Sequence, residues 1–182
     1  MENSKIDKIL LLEIFSRINE LVKGTNITLY ALGGTALTLL DMKPASADID
    51  LIINKDDWDL MRAVLNEVGE EYSVRIDKFY NDWMGTYWLP DDFRGKSIGL
   101  TYTDQLEVKS LSLVDILLTK LIAHRPKDLF DVSPLVRLHP ESLEFALKRY
   151  EQDYVFNVSK DKKENKEIIE RLILGYLKYK QN

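Results

Sequence analysis

The sequence predicts an α/β (α+β) protein, in which a mixed β-sheet flanked by helices is followed by a C-terminal helical section. Three observations lead to this fold class. Strand-like and helix-like apolar patterns alternate between residues 4 and 79, and two short alternating segments at 97–102 and 105–109 have the pattern of a hairpin. From Leu111 onward the apolar spacing is helical. We therefore expect a core at residues 1–110 and a helical section at residues 111–182 packed on it.

The composition narrows the possible chemistry. The chain of 182 residues has no cysteine and two histidines, which excludes disulfides and thiolate metal sites and argues against zinc. A formal charge of −5 provides no general attraction to nucleic acid. No apolar run has the length of a membrane span, and the N-terminus lacks the apolar stretch of a signal peptide, so we expect a cytoplasmic protein without membrane contact.

The N-terminal third predicts alternating helices and strands, with Gly24 and Pro44 as stop signals. The expected elements are a helix at Ser4–Lys23, a strand at Ile27–Leu32, a Gly33-Gly34 turn, a helix at Thr35–Met42, and a strand carrying Asp48 and Asp50.

Asp48 and Asp50 are expected on one face of their strand, with Ile49, Leu51 and Ile53 facing the core. Successive side chains of a strand alternate between its faces, so the two carboxylates would lie about 6–7 Å apart. They repel each other unless a cation lies between them, and Mg²⁺, or Mn²⁺, suits such hard oxygen ligands. The alternative interpretation is an amphipathic strand with one solvated face.

Gly33 and Gly34 predict a phosphate site next to these carboxylates. Glycine allows the backbone to approach a ligand closely, and the following helix directs its free N–H groups toward the turn. Ser46 either contacts a phosphate or orients Asp48, or it is a loop serine that satisfies its own backbone.

The middle of the chain predicts further sheet elements. A helix at Trp58–Val68 is expected to end at Gly69, and a strand at Tyr72–Phe79 to place Asp77 on the face opposite Ile76. The aromatic segment at residues 80–96 predicts either a functional loop that stacks a base or a hairpin whose aromatic side chains complete the core.

The segment Leu113–Ala123 is apolar nearly all round and predicts a buried helix that contains Lys120. A buried ammonium needs a counter-charge, which a triphosphate would supply, unless the side chain reaches solvent along its methylenes. After it, Pro126 and Asp128 are typical of a helix start, and Asp131 is spaced to pair with Lys127. Two further helices are expected at Pro140–Tyr150 and Asp161–Tyr179.

Two motifs resemble a known family. The first is Leu32-Gly33-Gly34, 13 intervening residues, and Asp48-Ile49-Asp50-Leu51, with Ser46 two places before the first aspartate. It is similar to the signature of the polymerase-β-like nucleotidyltransferases. The second, LLTKLIAHRPKDLFDV, resembles the later motif of AbiEii-type toxins and related small bacterial and archaeal nucleotidyltransferases.

The resemblance implies a nucleotidyltransferase fold and Mg²⁺-dependent transfer of a nucleoside monophosphate from an NTP to a hydroxyl of tRNA or of a protein. It also implies a toxin–antitoxin role with an antitoxin as partner. Carried over to this chain, it assigns metal ligation to Asp48, Asp50 and Asp77, β- and γ-phosphate contacts to Gly33 and Gly34, a triphosphate contact to Lys120, and catalysis to Asp128, with Asp131 as competitor. Arg125 or Lys127 is the candidate cation for neutralising the developing phosphate charge.

The chain also departs from the family pattern. Barely 50 residues follow the second motif, fewer than in the larger toxin relatives, and Met42-Lys43-Pro44 holds the place of an often basic position before Asp48. Two other functions remain open: a catalytically silent nucleotide-binding or partner-binding module, and a nucleotidyltransferase acting on an antibiotic or sugar.

Overall fold

The computed structural model describes residues 5–85, 87–139, 141–156 and 159–179. It confirms the predicted fold class, because a five-stranded mixed sheet with flanking helices precedes a series of C-terminal helices. The chain divides into two compact units. The sheet unit comprises Met1–Asp82 and Arg94–Leu111, and the helical unit comprises Trp83–Phe93 and Ser112–Asn182.

Strands and helices are interspersed up to residue 110, and a 3₁₀ turn lies at Lys55–Asp57. In chain order these elements are β1 (Ile6–Asp7), α1 (Lys8–Leu21), β2 (Ile27–Ala31), α2 (Gly33–Leu39), β3 (Ala45–Ser46), β4 (Ile49–Ile53), α3 (Trp58–Glu71), β5 (Ile76–Tyr80), β6 (Tyr87–Trp88), α4 (Phe93–Lys96), β7 (Ile98–Tyr102) and β8 (Leu106–Ser110). They are followed by α5 (Leu113–Ala123), α6 (Pro126–Leu138), α7 (Glu141–Asp153), β9 (Val155–Phe156) and α8 (Ser159–Tyr179).

The main sheet has the strand order β5-β4-β2-β8-β7. β4 runs parallel to β5 and β2 parallel to β8, whereas β2 and β4, and β7 and β8, are antiparallel. The predicted hairpin is therefore present as β7 and β8, at one edge of the sheet. Helix α1 packs on α3, and its buried residues, Leu11, Ile14, Phe15 and Ile18, follow the helical spacing that the sequence predicts.

The N-terminal boundaries differ from the prediction. Ile6 belongs to a short strand, β1, that pairs with β3, and α1 begins only after Asp7, whose carboxylate accepts a hydrogen bond of 2.9 Å from the Leu10 N–H. The glycine pair also differs, because Gly33 and Gly34 form the first turn of α2 instead of a separate turn before it.

Gly69 does not end its helix. Helix α3 continues to Glu71, and a β-carbon on Gly69 would lie 3.1 Å from the Val74 carbonyl oxygen. The Val74 N–H in turn donates to the Gly69 carbonyl at 2.9 Å. The glycine therefore permits the chain to fold back closely over the helix end. From the sequence alone, a glycine with this role looks the same as a glycine that ends a helix.

In the helical unit, α5 packs against α6, α7 and α8, and most of its side chains are buried, as the sequence predicts. Within it, the fully buried Asp115 accepts hydrogen bonds of 2.7 and 2.9 Å from Arg149 and one of 3.1 Å from the Tyr154 hydroxyl. Burial raises the pKa of Tyr154, and the charge of Asp115 adds to the effect. Pro140, where the sequence places the start of α7, lies outside the described residues.

The aromatic segment contributes to packing of the helical unit. Strand β6 pairs with β9, and the ring of Tyr87 lies 5.6 Å from that of Tyr154 and 5.4 Å from that of Phe156. Trp83 and Trp88 contact each other with ring centroids 4.3 Å apart. Tyr87 is buried and has no face available to a base. For this residue the second alternative holds, in which the aromatic side chain completes the core.

Candidate active site

Three carboxylates meet on one face of the sheet. Asp48 lies directly before β4, Asp50 within it, and Asp77 in β5, where it is the register partner of Asp50. Each offers one oxygen, and these oxygens all lie within 4.8 Å of one another, on side chains of intermediate exposure. Residues paired in a parallel ladder point to the same side of the sheet, which explains why Asp77 joins the other two. Clustered carboxylate oxygens fit a hard divalent cation such as Mg²⁺ or Mn²⁺.

The glycine pair lies directly against this cluster. Gly33 has φ +59°, and a β-carbon on it would lie 2.6 Å from Asp50 Oδ2. A β-carbon on Gly34 would collide with the Ser46 hydroxyl and lie 3.7 Å from Lys43 Nζ. The structure thus brings Gly33, Gly34 and Ser46 together with Asp50, at a spacing that only glycine permits.

Thr35 joins helix α2 to the acidic strand. Its hydroxyl donates to the Asp48 carbonyl at 3.3 Å and accepts from the Asp50 N–H at 2.9 Å, and the residue is fully buried. These bonds fix the backbone on both sides of Ile49, and with it the starting points of both carboxylate side chains.

Arg75 binds the third carboxylate. Its Nε donates to Asp77 Oδ1 at 2.9 Å and its Nη2 to Asp77 Oδ2 at 2.6 Å. The hydrogen bond to Asp77 is the largest cause of a raised pKa of Arg75, and the charges of Asp48 and Asp50 also raise it. The guanidinium therefore experiences all three carboxylates.

The remaining predicted site residues form a separate cluster in the helical unit. Lys120 Nζ donates to Asp128 Oδ1 at 3.2 Å and to Asp131 Oδ2 at 2.7 Å, and Arg125 Nε donates to Asp128 Oδ2 at 2.6 Å. Lys120 and Asp128 are both buried. The counter-charge that a buried lysine requires is thus supplied by carboxylates of α6, and contact with a triphosphate stays a prediction.

Asp128 is held as a carboxylate. Burial acts to raise its pKa, but the hydrogen bond from Arg125 and the charge of Lys120 outweigh burial and lower the pKa overall. Its proposed catalytic role therefore concerns a group that is ionised at neutral pH and already accepts bonds on both oxygens.

The sequence matches a described protein family over most of its length. Residues 10–182 match the model of a family described as "Nucleotidyltransferase of unknown function (DUF6036)". The chain belongs to this DUF6036 family. No curated protein matches the chain significantly. In this member of the DUF6036 family, within the described residues, no helix is long and apolar enough to cross a membrane.

Sequence reasoning on this DUF6036 protein missed two residues near the carboxylates, Thr35 and Arg75, and it assigned no contact to Lys43. Thr35 was detectable as a hydroxyl next to the glycine pair within an apolar helix, and Arg75 as a cation two places from Asp77 on one strand face. Lys43 belongs to the segment that holds the often basic position before Asp48, but its approach to Gly34 depends on how the chain returns from α2 toward β3.

Proposed function

We propose that this chain is a metal-dependent nucleotidyltransferase that moves a nucleoside monophosphate from a nucleoside triphosphate to a hydroxyl and releases pyrophosphate. The observation that carries the proposal is the approach of Asp48, Asp50 and Asp77 within 4.8 Å beside a glycine pair. Membership of a family described as nucleotidyltransferases supports the same class of reaction.

The three carboxylates are the proposed ligands of Mg²⁺ or Mn²⁺. Such a cation, when bound, polarises the α-phosphate and stabilises the entering and leaving oxygens. The acceptor oxygen forms a bond to the α-phosphorus while the bond to the bridging oxygen breaks, and pyrophosphate leaves with that oxygen. Asp77 either completes the metal site or accepts the proton of the acceptor hydroxyl.

Two groups of residues are proposed to hold the phosphates. Gly33, Gly34 and Ser46 face the β- and γ-phosphates, with Lys43 as a cation at the same place. Lys120 is a further phosphate contact on the strength of the sequence resemblance, and Arg125 is a cation that can neutralise developing phosphate charge. Lys120 and Arg125 both donate hydrogen bonds to Asp128. To contact a phosphate, each would have to replace one of these bonds with a bond to a phosphate oxygen.

The acceptor is proposed from the AbiEii-like resemblance alone. It favours the hydroxyl of a tRNA or of a protein, in a toxin whose activity an antitoxin restrains. The net charge of −5 means that an RNA acceptor would need a local basic surface.

The decisive experiment incubates the purified protein with each α-labelled NTP, Mg²⁺ and total tRNA, and in parallel with cellular protein. We expect label to be transferred to one acceptor by the wild-type protein. Asp48→Asn should lose this transfer. Asp56→Asn, which changes an exposed aspartate outside the cluster, should transfer label as wild type does. Binding of NTP without transfer to any acceptor would support the silent module instead. A further incubation supplies antibiotics and sugars as acceptors, and transfer only there would support the small-molecule enzyme.

A further inference from the structure

The further inference concerns Arg75 and rests on the proposed function. Arg75 lies directly before β5, two residues from Asp77, which is clustered with the other two carboxylates. The Arg75 backbone is fixed, because its carbonyl accepts from the Ile49 N–H at 2.9 Å. Only the side chain is left to change position.

The contact between Arg75 and Asp77 uses both oxygens of the carboxylate. A planar guanidinium and a carboxylate form two parallel hydrogen bonds, which is the strongest arrangement the pair can adopt. A divalent cation that takes Asp77 as a ligand must therefore share these oxygens or displace the guanidinium. Repulsion between the two cations favours displacement.

Displacement of the Arg75 side chain loses little packing. The side chain is 72 % exposed, against 31 % for Asp77, so the guanidinium exchanges one carboxylate for water without opening a cavity. In this structure the charges of Asp48 and Asp50 also act on the guanidinium, in addition to that of Asp77.

We propose that Arg75 is the internal counter-ion of the metal site, which competes with the divalent cation for Asp77 and so lowers the affinity for metal alone. A nucleotide changes this balance, because its phosphates supply the anionic partner that the displaced guanidinium then lacks. Arg75 thereby favours loading of metal together with nucleotide over loading of metal by itself.

The test measures Mn²⁺ binding to the full chain by electron paramagnetic resonance, without nucleotide. We expect Arg75→Gln to bind Mn²⁺ about threefold to tenfold more tightly than wild type, from the usual strength of an exposed ion pair and the loss of repulsion. Arg75→Lys keeps the charge but not the paired hydrogen bonds. Its Mn²⁺ affinity should lie between those of wild type and Arg75→Gln. Arg17→Gln, which removes an arginine paired with Glu20 and Glu71, is the matched control and should equal wild type.

A second readout is the thermal shift on adding Mn²⁺, which should be larger for Arg75→Gln because its carboxylates lack a counter-ion without metal. Equal or weaker Mn²⁺ binding by Arg75→Gln would overturn the inference and leave the proposed function standing. Failure of wild type and all variants to bind Mn²⁺ at millimolar concentration, both without and with NTP, would instead overturn the proposed function, and the inference with it.

Discussion

Gly33 approaches Asp50 so closely that a β-carbon at residue 33 would lie 2.6 Å from the Asp50 carboxylate oxygen. Gly33 also has a positive φ of +59°. Residue 33 therefore favours glycine for two reasons: the backbone has a positive φ, and the Asp50 carboxylate occupies the place of a β-carbon. These can be separated by experiment, because Gly24 has a φ of +87° but no atom within 4 Å of the β-carbon position.

We expect Gly33→Ala to weaken Mn²⁺ binding by about tenfold to a hundredfold, the usual effect of disturbing a ligand's support. The reason is that the new methyl group forces the Asp50 carboxylate to move. Stability should fall by only about 1–2 kcal/mol, the usual backbone cost of a left-handed conformation. Gly24→Ala should show the same loss of stability with unchanged metal affinity. Equal metal affinity in both variants would mean that the Asp50 position does not matter for binding.

Asp48→Asn is expected to abolish the stabilisation of the protein by Mg²⁺ and NTP. Removing one of several like charges should leave the unliganded protein as stable as wild type within about 0.5 kcal/mol, or more stable. Thermal melts with and without Mg²⁺-NTP measure both effects, with Asp56→Asn as control. A loss of unliganded stability comparable to a core substitution would assign Asp48 a structural role.

Lys120→Met is expected to destabilise the helical unit. The sequence alone predicts a neutral or stabilising change, on the assumption that the counter-charge is a ligand. The structure reverses this expectation, because Asp128 and Asp131 lose a buried partner, and breaking such a pair costs about 3–5 kcal/mol. Urea unfolding should show a loss near the lower end of that range, since Asp128 keeps Arg125.

Two variants control the Lys120 experiment. Lys148→Met removes an exposed lysine of α7 and should be neutral. The double variant Lys120→Met with Asp131→Asn should recover part of the stability, because it also removes a carboxylate that the single variant leaves unpaired. A neutral Lys120→Met would contradict the ion-pair cluster. Loss of about tenfold or more in NTP affinity, measured below the unfolding transition, would support the proposed phosphate contact.

The lowered pKa of Asp128 predicts an acid-sensitive contribution to stability. Its folded-state pKa lies below that of the unfolded chain, about 3.9. The contribution is therefore fully present above about pH 4 and is lost as the pH falls through the folded-state value. Asp128→Asn should be less stable than wild type at pH 7, with a difference that shrinks below pH 4 in urea titrations. A difference that stays constant with pH would show that the charge of Asp128 is not what stabilises the fold.

The sequence by itself determined the local elements. The spacing of apolar residues predicted α5 at the residues where it is found, and the β7–β8 hairpin followed from alternation around Thr103 and Asp104. It also predicted that Asp48 and Asp50 share a face. These features depend on helix and strand periodicity, which is set by the geometry of each residue and its near neighbours.

Only the tertiary structure decided the partners. Strands β1 and β9 are two residues long, too short for a periodic signal, and they exist because β3 and β6 lie beside them. Lys120 binds Asp128 and Asp131, and Asp115 binds Arg149 from 34 residues away, because α5 packs against α6 and α7. A charged residue within an apolar segment of the sequence predicts that its side chain, when buried, has a partner of opposite charge. Which partner it receives depends on how distant elements pack, and local periodicity carries no information about that.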